Sequence, residues 1–526
     1  MFIIQKFCLN GDAYKLESHD NNKKMFGVLL GFEIIQGSFE FELENVISCT
    51  YPEGAEGGPV RTEVEYLTIH LLPIFLAKRY HGVEKIYVRE CYRQFYETVS
   101  ARMLSNEEDD SATLFTGVPG IGKSLFMLYF IYRYLGDDRF NDKSFAVELM
   151  GGGQIWCLEP SADAREFTCI LRNSMYGQNI PNLLLCDIHA RSEPLMRSMW
   201  TFIFSYPDPC RYKQIMKNEP NARYTMPTWS LEELMNVKAN MSLWEDKYEL
   251  FGGVPRHVFG KGKWSEIELK QAVFAEGGPL AKAFSKSGIG AASLLQSDML
   301  VHVNPPLSSA VGRGPYLDVY SFASDYVFRM LAERHRDMML AGAVDLLNRY
   351  NASEMLGFES AGNLFEKVCL WLKPLDGDLI YPISLEDGIC KVRIDVPDER
   401  YYLPNDWKKT EALPVNMLIV PRISNPESGV AFFMEYYGSD KFRLVVLQIT
   451  VAESHPVKVK ELVNIINSFP GNVGQNITEK LLVFVTHKSG ALKNVQPLHT
   501  AKNLMYTSSI PDAVAGFEQY VYRHKI

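Results

Sequence analysis

The segment Gly117–Ser124 has the residue types and spacing of a loop that binds phosphate. Its sequence, GVPGIGKS, matches the pattern G-x-x-x-x-G-K-[ST], and the glycines are Gly117, Gly120 and Gly122. Glycines let backbone N–H groups turn inward around a phosphate, and a following helix presents its N-terminus to the anion. In this pattern Lys123 contacts the β- and γ-phosphates, while the hydroxyl of Ser124 binds Mg²⁺. We therefore expect a site for ATP or GTP with Mg²⁺.

A carboxylate for the metal ion is expected at the end of a later buried strand. The apolar run NLLLCD ends at Asp187, and an Asp in this place holds Mg²⁺ in nucleotide sites of this kind. Many ATPases have a catalytic Glu directly after that Asp, whereas Ile188 and His189 follow here. Glu193 is a candidate for the missing general base. Ser205, which ends the next apolar run, is either a sensor of the γ-phosphate or a turn residue.

The pentapeptide Gly252–Arg256, GGVPR, is a third candidate element of the same site. Its two glycines permit close approach of the backbone, and Pro255 offers a flat apolar face to an adenine ring. Arg256 can pair with phosphate charge. In isolation, the same residues also fit a tight turn with a surface arginine.

The elements that position these residues follow from the hydrophobic pattern. Leu114–Thr116 precedes the glycine loop, and Leu125–Leu135 follows it as an apolar helix. Short apolar runs of buried-strand length are Ile155–Leu158, Leu183–Asp187 and Met199–Ser205. This alternation predicts an α/β fold with a parallel sheet for residues 86–260.

The rest of the chain divides into three further predicted regions. Residues 1–85 are expected to form a small β-rich header, and residues 261–355 carry helical periodicity. Residues 356–526 begin with a helix and continue as strand-like runs, which predicts a C-terminal α/β domain. A chain of 526 residues has room for about three or four domains.

Composition and charge exclude several classes of protein. The chain is 47% hydrophobic and 22% charged, with a net charge of -9, so a disordered or strongly basic protein is not expected. Nine scattered cysteines without a C-x-x-C pair argue against a disulfide scaffold or a zinc module. Neither an apolar run long enough to span a membrane nor a readable secretory signal is found, so we expect a soluble chain with reduced thiols and no membrane partner.

Four segments along the chain carry a common pattern, in the order IYVRECYRQFYETV, TGVPGIGKSLFMLYFIYRYL, MPTWSLEEL and FGGVPRHVF. Taken together, they resemble the NTPase module of the Crinkler effectors and of the related retrotransposon hot spot proteins. The resemblance implies a P-loop NTPase in which Lys123, Ser124 and Asp187 are the nucleotide and Mg²⁺ residues. It also places the GGVPR segment near the base.

Leu72–Lys78, LPIFLAK, resembles the Crinkler translocation motif L-x-L-F-L-A-K, with Ile74 in place of a leucine. In that family the motif closes a ubiquitin-like header, which implies such a fold for the first 85 residues. The same seven residues also fit an apolar core segment followed by a surface lysine.

The C-terminal region resembles the restriction-endonuclease-like domain of the same proteins. GNLFE, ending at Glu366, looks like their G-x-x-F-E helix, and Gln448 in QIT looks like the first residue of their [E/Q]-x-K pair. In such a domain an acidic residue and this pair hold Mg²⁺, which activates water against a phosphodiester. The resemblance therefore implies catalytic roles for Glu366 and Gln448.

Two positions depart from that nuclease pattern. Asn416 stands where the family has an Asp on a strand, and Thr450 stands where it has the Lys. An amide is a poorer Mg²⁺ ligand because it contributes no charge. We expect weak or absent cleavage on a domain that still binds DNA, unless Glu366, Asp395 or Glu435 supplies the missing carboxylate.

The leading expectation is an NTPase coupled to a DNA-engaging, nuclease-like domain. By the family resemblance it would be a secreted effector that acts in a host cytoplasm or nucleus, with host proteins and further copies of itself as other partners. One alternative is a nucleotide-dependent switch whose C-terminal domain binds protein or nucleic acid without cleavage. Another is a retroelement-associated nuclear protein that acts in transcription.

Overall fold

The structure, a computed structural model, divides the chain into two compact units. The first takes in the described residues within 1–50, 59–269 and 294–323, and the second takes in those within 270–293 and 324–526. The described residues are 33–50, 60–105, 112–140, 144–149, 155–160, 166–172, 182–187, 200–206, 223–237, 244–260, 265–287, 299–305, 319–350, 361–375, 377–390, 392–403, 413–421, 430–436, 441–450, 457–467, 469, 476–487, 494–496, 498–499 and 516–524.

The first unit is built from short strands and mostly short helices. Its strands are β1 (Glu33–Ser38), β2 (Glu40–Thr50), β3 (Val60–Leu71), β4 (Lys85–Tyr87), β5 (Ala112–Thr116), β6 (Phe145–Leu149), β7 (Ile155–Pro160), β8 (Glu166–Arg172), β9 (Leu183–Asp187), β10 (Trp200–Phe204), β11 (Arg223–Thr225), β12 (Val301–Asn304) and β13 (Val319–Phe322). Its helices are α1 (Ile74–Arg79), α2 (Glu90–Leu104), α3 (Lys123–Leu135), α4 (Leu231–Val237), α5 (Trp244–Phe251) and α6 (Pro255–Val258). Helix α7 (Glu266–Ser287) begins in this unit.

Eight strands of the first unit form one sheet in the order β1-β8-β7-β6-β9-β10-β5-β11. The neighbours from β6 to β11 pair in parallel, whereas β7, β8 and β1 pair antiparallel. Strands β5 and β9 are buried along their whole length, which suits their nearly continuous apolar sequences ATLFT and LLLCD. Phe204, at the end of β10, pairs with Phe115 of β5 on one side and with Asp187 of β9 on the other. The carboxyl ends of β5, β10 and β9 therefore open on the same edge of the sheet.

The described residues before 85 belong to the first unit together with the glycine loop. Strand β1 pairs with β8 and so extends the sheet that contains β5. Strands β2, β3 and β4 form a separate three-stranded antiparallel sheet, and α1 follows β3. The structure thus places no domain boundary at residue 85, because the first unit takes in the described residues on both sides of that position. Residues 1–32 lie outside the described part of the chain.

The predicted helical region at 261–355 also differs from the structure. Helix α7 and helix α8 (Asp325–Tyr350) occupy much of it, but β12 and β13 between them form an antiparallel pair. The division between the units falls at 269 and at 323, inside the predicted region rather than at its ends.

The second unit centres on a seven-stranded sheet. Its elements after α8 are α9 (Ala361–Lys367), a π-helical turn (Val368–Leu372), β14 (Leu379–Ile380), β15 (Ile383–Ser384), β16 (Ile394–Asp395), β17 (Arg400–Leu403), β18 (Leu418–Pro421), β19 (Val430–Tyr436), β20 (Phe442–Thr450), β21 (Val457–Lys458), α10 (Val459–Asn467), β22 (Ile477–His487), β23 (Leu498–His499) and β24 (Phe517–His524). The sheet order is β15-β24-β22-β20-β19-β18-β17. Strand β20 runs antiparallel to β19 and parallel to β22, and its apolar sequence is buried.

Candidate functional site

The glycine loop, Gly117–Ser124, turns sharply between β5 and α3. The φ values of Gly117, Gly120 and Gly122 are 135°, 91° and 107°. Residues other than glycine rarely adopt positive φ, because their Cβ atom clashes with the backbone. A Cβ on Gly117 would lie 2.7 Å from the carbonyl oxygen of Met226, and one on Gly120 would lie 2.6 Å from the Cβ of Arg256. Both the backbone conformation and the close packing therefore require glycine.

Lys123, the first residue of α3, folds its side chain back over the loop. Its Nζ donates hydrogen bonds to the carbonyl oxygens of Gly117, at 2.7 Å, and Val118, at 2.8 Å. The residue is only 8% exposed, and its ammonium lies 5.5 Å from the ring centre of Tyr206. A buried cation is thus held against the backbone of the loop.

Ser124 and Asp187 meet across the edge of the sheet. The Oγ of Ser124 donates a hydrogen bond of 3.1 Å to Oδ1 of Asp187, which is 9% exposed. The contact links the first turn of α3 to the end of β9, although the two residues are 63 positions apart. A hydroxyl and a carboxylate oxygen in contact are the type of ligands that Mg²⁺ binds.

Two residues after the LPIFLAK segment reach the same carboxylate. Arg79 Nη2 lies 3.4 Å from Oδ2 of Asp187, and the Tyr80 hydroxyl lies 3.5 Å from the same oxygen and 3.2 Å from the carbonyl oxygen of Ser124. Burial, and then the negative charge of Asp187, raise the pKa of Tyr80 well above its usual value. The hydroxyl therefore stays protonated and can act as a hydrogen-bond donor here.

These residues surround a cavity of about 350 Å³. Its lining includes three cations and one carboxylate, besides backbone and apolar groups. The lining residues are Arg79, Tyr80, His81, Val83, Gly120, Gly122, Lys123, Ser124, Leu125, Asp187, Phe204, Ser205, Tyr206 and Arg256. Excess positive charge around a glycine loop suits a ligand with several negative charges.

Aromatic side chains from two distant segments support the loop. The hydroxyl of Tyr92 donates to the carbonyl oxygen of Gly122 at 2.9 Å, and Nε1 of Trp229 donates to that of Ile121 at 2.9 Å. Arg89, which is buried, bonds Glu233 through Nε at 2.8 Å and the carbonyl oxygen of Pro227 through Nη1 at 2.9 Å. The segments IYVRECYRQFYETV and MPTWSLEEL thus each donate a hydrogen bond to the backbone of the loop.

The GGVPR segment contributes one residue to the cavity. Arg256 is exposed and lines it, and its side chain lies over Gly120. Pro255 is buried as the first residue of α6 and is not among the lining residues, so the structure does not bring its ring to the cavity. Gly252, with φ of 62°, packs against the carbonyl oxygen of Ala323.

Of the other residues considered for hydrolysis, Ser205 lies in the described part of the chain. Ser205 is buried and lines the cavity, and its N–H donates to the carbonyl oxygen of Phe115 at 3.0 Å. Ile188, His189 and Glu193 lie outside the described residues.

Sequence reasoning missed the contributions of Arg79 and Tyr80 to the site. They lie in the region predicted as a separate header, more than 100 positions before Asp187. The available signal was the arginine directly after LPIFLAK, but only the tertiary fold brings it to the end of β9.

In the second unit, Glu366 and Gln448 are both buried polar residues, each 7% exposed. Glu366 lies on α9, which packs against β20, the strand that carries Gln448. The residue paired with Gln448 on β19 is Val430, and Thr450 pairs with Thr486 on β22. In the described part of the chain, no group of three His, Cys, Asp or Glu side chains is arranged to hold a metal ion.

Asn416 does not lie near Gln448. Its amide oxygen accepts a 3.2 Å hydrogen bond from the N–H of Tyr436, which pairs with Phe442 at the beginning of β20. Gln448 is six residues further along that strand, about 20 Å away at roughly 3.3 Å per residue. With φ of 61°, Asn416 is an exposed turn residue in a conformation that asparagine tolerates.

Of the three substitute carboxylates, Glu435 and Asp395 do not lie beside Gln448 in the sheet either. Glu435 pairs with Arg443, five residues before Gln448, and its Oε1 accepts a 2.7 Å hydrogen bond from Nη1 of that arginine. Burial raises the pKa of Glu435. Asp395 is exposed on β16, which pairs with β14 in a separate two-stranded sheet.

Among the helices of the described residues, none combines the length and apolar character that crossing a membrane requires.

Comparison with known proteins shows a distant similarity. No family model matches the chain, and no solved structure matches it. Crinkler effector proteins 15 and 16 of Phytophthora infestans are each 27% identical to it over 193 residues. The match covers 33% of this chain and 28% of each relative, so it spans less than a third of the relatives' length. The similarity supports a Crinkler-like relationship for that third of the chain.

Proposed function

We propose that the cavity of the first unit binds a nucleoside triphosphate together with Mg²⁺. The observation that carries the proposal is the contact between Ser124 and Asp187, 3.1 Å long, beside the buried ammonium of Lys123. A bound Mg²⁺ would supply positive charge between the phosphates. Lys123 would contact the β- and γ-phosphates, and Ser124 and Asp187 would hold the metal.

The charges of the cavity support a triphosphate rather than a neutral ligand. Lys123 lies inside the loop, Arg256 lies over Gly120 and Arg79 lies at Asp187, so cations surround the space on several sides. Loop backbone and an arginine fork are both suited to phosphate oxygens. Among the described residues of the lining, only Asp187 carries a negative charge, which suits it to a metal cation.

Slow hydrolysis is proposed in preference to rapid turnover. Asp187 is the single carboxylate among the described lining residues, and the metal role occupies it. The imidazole of His81 also lines the cavity, but no carboxylate other than Asp187 is described there to act as a general base. This favours a nucleotide-dependent switch, in which bound nucleotide controls the conformation, over a fast ATPase.

The effector role is proposed from the similarity to the Crinkler proteins. The relatives are named effectors, and we infer that this chain has a related role inside a host cell. For the second unit we propose binding of DNA or protein. Binding without cleavage is preferred because, among its described residues, neither Asn416 nor Glu435 lies beside Gln448.

An equilibrium titration tests the nucleotide site. The full chain is titrated with ATP and with GTP in the presence of Mg²⁺, and the Lys123→Ala variant is measured in parallel. We expect binding by the parent and loss of binding in the variant, because the ammonium that faces the β- and γ-phosphates is gone. Equal affinities of parent and variant would contradict the proposal.

A further inference from the structure

Arg79 contacts the carboxylate of Asp187, which the proposed nucleotide site needs to hold Mg²⁺. It is the last residue of α1, and its Nη2 lies 3.4 Å from Oδ2 of Asp187. Ser124 binds the other oxygen of the same carboxylate. The guanidinium therefore stands beside the metal end of the cavity, where a terminal phosphate would lie if the proposed function holds.

The position of Arg79 is fixed by the packing of α1. Phe75 stacks on Trp156 of β7, with ring centres 4.8 Å apart and planes 7° from parallel, and Leu76 is fully buried. Tyr80, directly after the helix, is buried against Ser124 and Asp187. Lys78, in contrast, is exposed and does not line the cavity. The helix thus presents one of its two adjacent basic residues to the site and the other to solvent.

The contact between Arg79 and Asp187 is weak enough to be exchanged. Charge-assisted hydrogen bonds of this kind are about 2.7–2.9 Å long, and this one is longer. It uses one of the five N–H donors of the guanidinium, and the side chain remains 32% exposed. A phosphate offers two oxygens to the planar fork at once and is a better partner than a carboxylate shared with Ser124.

We propose that Arg79 binds the terminal phosphate of the triphosphate and sets the preference for triphosphate over diphosphate. This rests on the proposed nucleotide site. With a triphosphate bound, Arg79 exchanges Asp187 for the phosphate, and Asp187 is released to the metal. With a diphosphate no terminal phosphate lies within its reach, and Arg79 stays on Asp187. The LPIFLAK segment is then the support of a nucleotide-sensing arginine.

The test compares affinities for ATP and ADP, each with Mg²⁺, in the full chain and its variants. Arg79→Ala removes the guanidinium, and Arg79→Gln keeps most of its length and a donor for Asp187. Lys78→Ala is the matched control, since it removes the same charge from the neighbouring position of the same helix. Lys123→Ala reports on the site itself, and thermal melting checks that each variant is folded.

We expect both Arg79 variants to bind ATP about tenfold to a hundredfold more weakly, as loss of a charged hydrogen bond implies, and to keep their affinity for ADP. Lys78→Ala should change neither affinity. The inference is overturned if the Arg79 variants keep the parental ratio of ATP to ADP affinity while Lys123→Ala abolishes binding, and the proposed function then stands. If the parent binds neither nucleotide, both are overturned.

Discussion

At the scale of single residues, Asp187 is where the groups of the candidate site meet. Ser124, Arg79 and Tyr80 all approach its two oxygens. An Asp187→Asn substitution keeps the shape of the side chain but removes the charge that attracts Mg²⁺. We expect the Mg²⁺ concentration needed for ATP binding to rise about 10- to 100-fold, as for residues that support a metal site.

A Mg²⁺ titration at fixed ATP measures this effect. Glu97→Gln, an exposed carboxylate on α2, is the control for loss of one negative charge elsewhere in the unit. An unchanged Mg²⁺ requirement in Asp187→Asn would show that the metal is held by other residues.

At the scale of elements, two constraints require glycine in the loop: the positive φ angle and the lack of space for a side chain. Substitutions at two glycines can tell these constraints apart. Gly120 and Gly82 both have positive φ, at 91° and 79°, so alanine strains the backbone at either position. A Cβ at Gly82 has nothing within 4 Å, whereas one at Gly120 collides with Arg256. We expect Gly120→Ala to abolish ATP binding and Gly82→Ala to retain it.

The readout is ATP affinity in both variants after thermal melting has shown that they fold. Similar losses in the two would mean that backbone strain, rather than the space over the loop, decides binding.

The register of the second unit's sheet leads to a further prediction. Because Asn416 bonds Tyr436 near the beginning of β20, an Asn416→Asp carboxylate would lie far from Gln448. We expect this variant to nick supercoiled DNA no faster than the parent in the presence of Mg²⁺. Faster nicking that a Gln448→Ala substitution then removes would show that the two residues act together.

The sequence was sufficient for the parts of the site that follow a local pattern. The glycine loop, Gly117–Ser124, is recognisable from the spacing of its glycines, lysine and serine. Asp187 ends a strand that the preceding apolar residues predict. Arg79 could not be found in this way, because 108 positions separate it from Asp187. Asn416 was assigned to the nuclease site from the order of the motifs along the chain. That order does not tell at which end of an antiparallel strand pair a residue lies.

At the scale of the whole molecule, the first unit depends on residues before 85. Strand β1 pairs along its length with β8, and α1 supplies Arg79 and the stacking of Phe75 on Trp156. Deletion of residues 1–85 removes an edge strand and part of the cavity lining. We expect the shortened chain to lose ATP binding and to melt at lower temperature than the full chain.

Circular dichroism and an ATP titration on the shortened chain check this dependence. A folded product with parental affinity would mean that residues 1–85 are a separate module after all.

A crystal structure of the full chain with Mg²⁺ and a non-hydrolysable ATP analogue is the most direct test of the nucleotide site. We expect the phosphates against Gly117–Ser124, the metal at Ser124 and Asp187, and Arg79 turned from Asp187 to the terminal phosphate. Density for the analogue elsewhere, with Lys123 still bonded to the carbonyl oxygens of Gly117 and Val118, would contradict it.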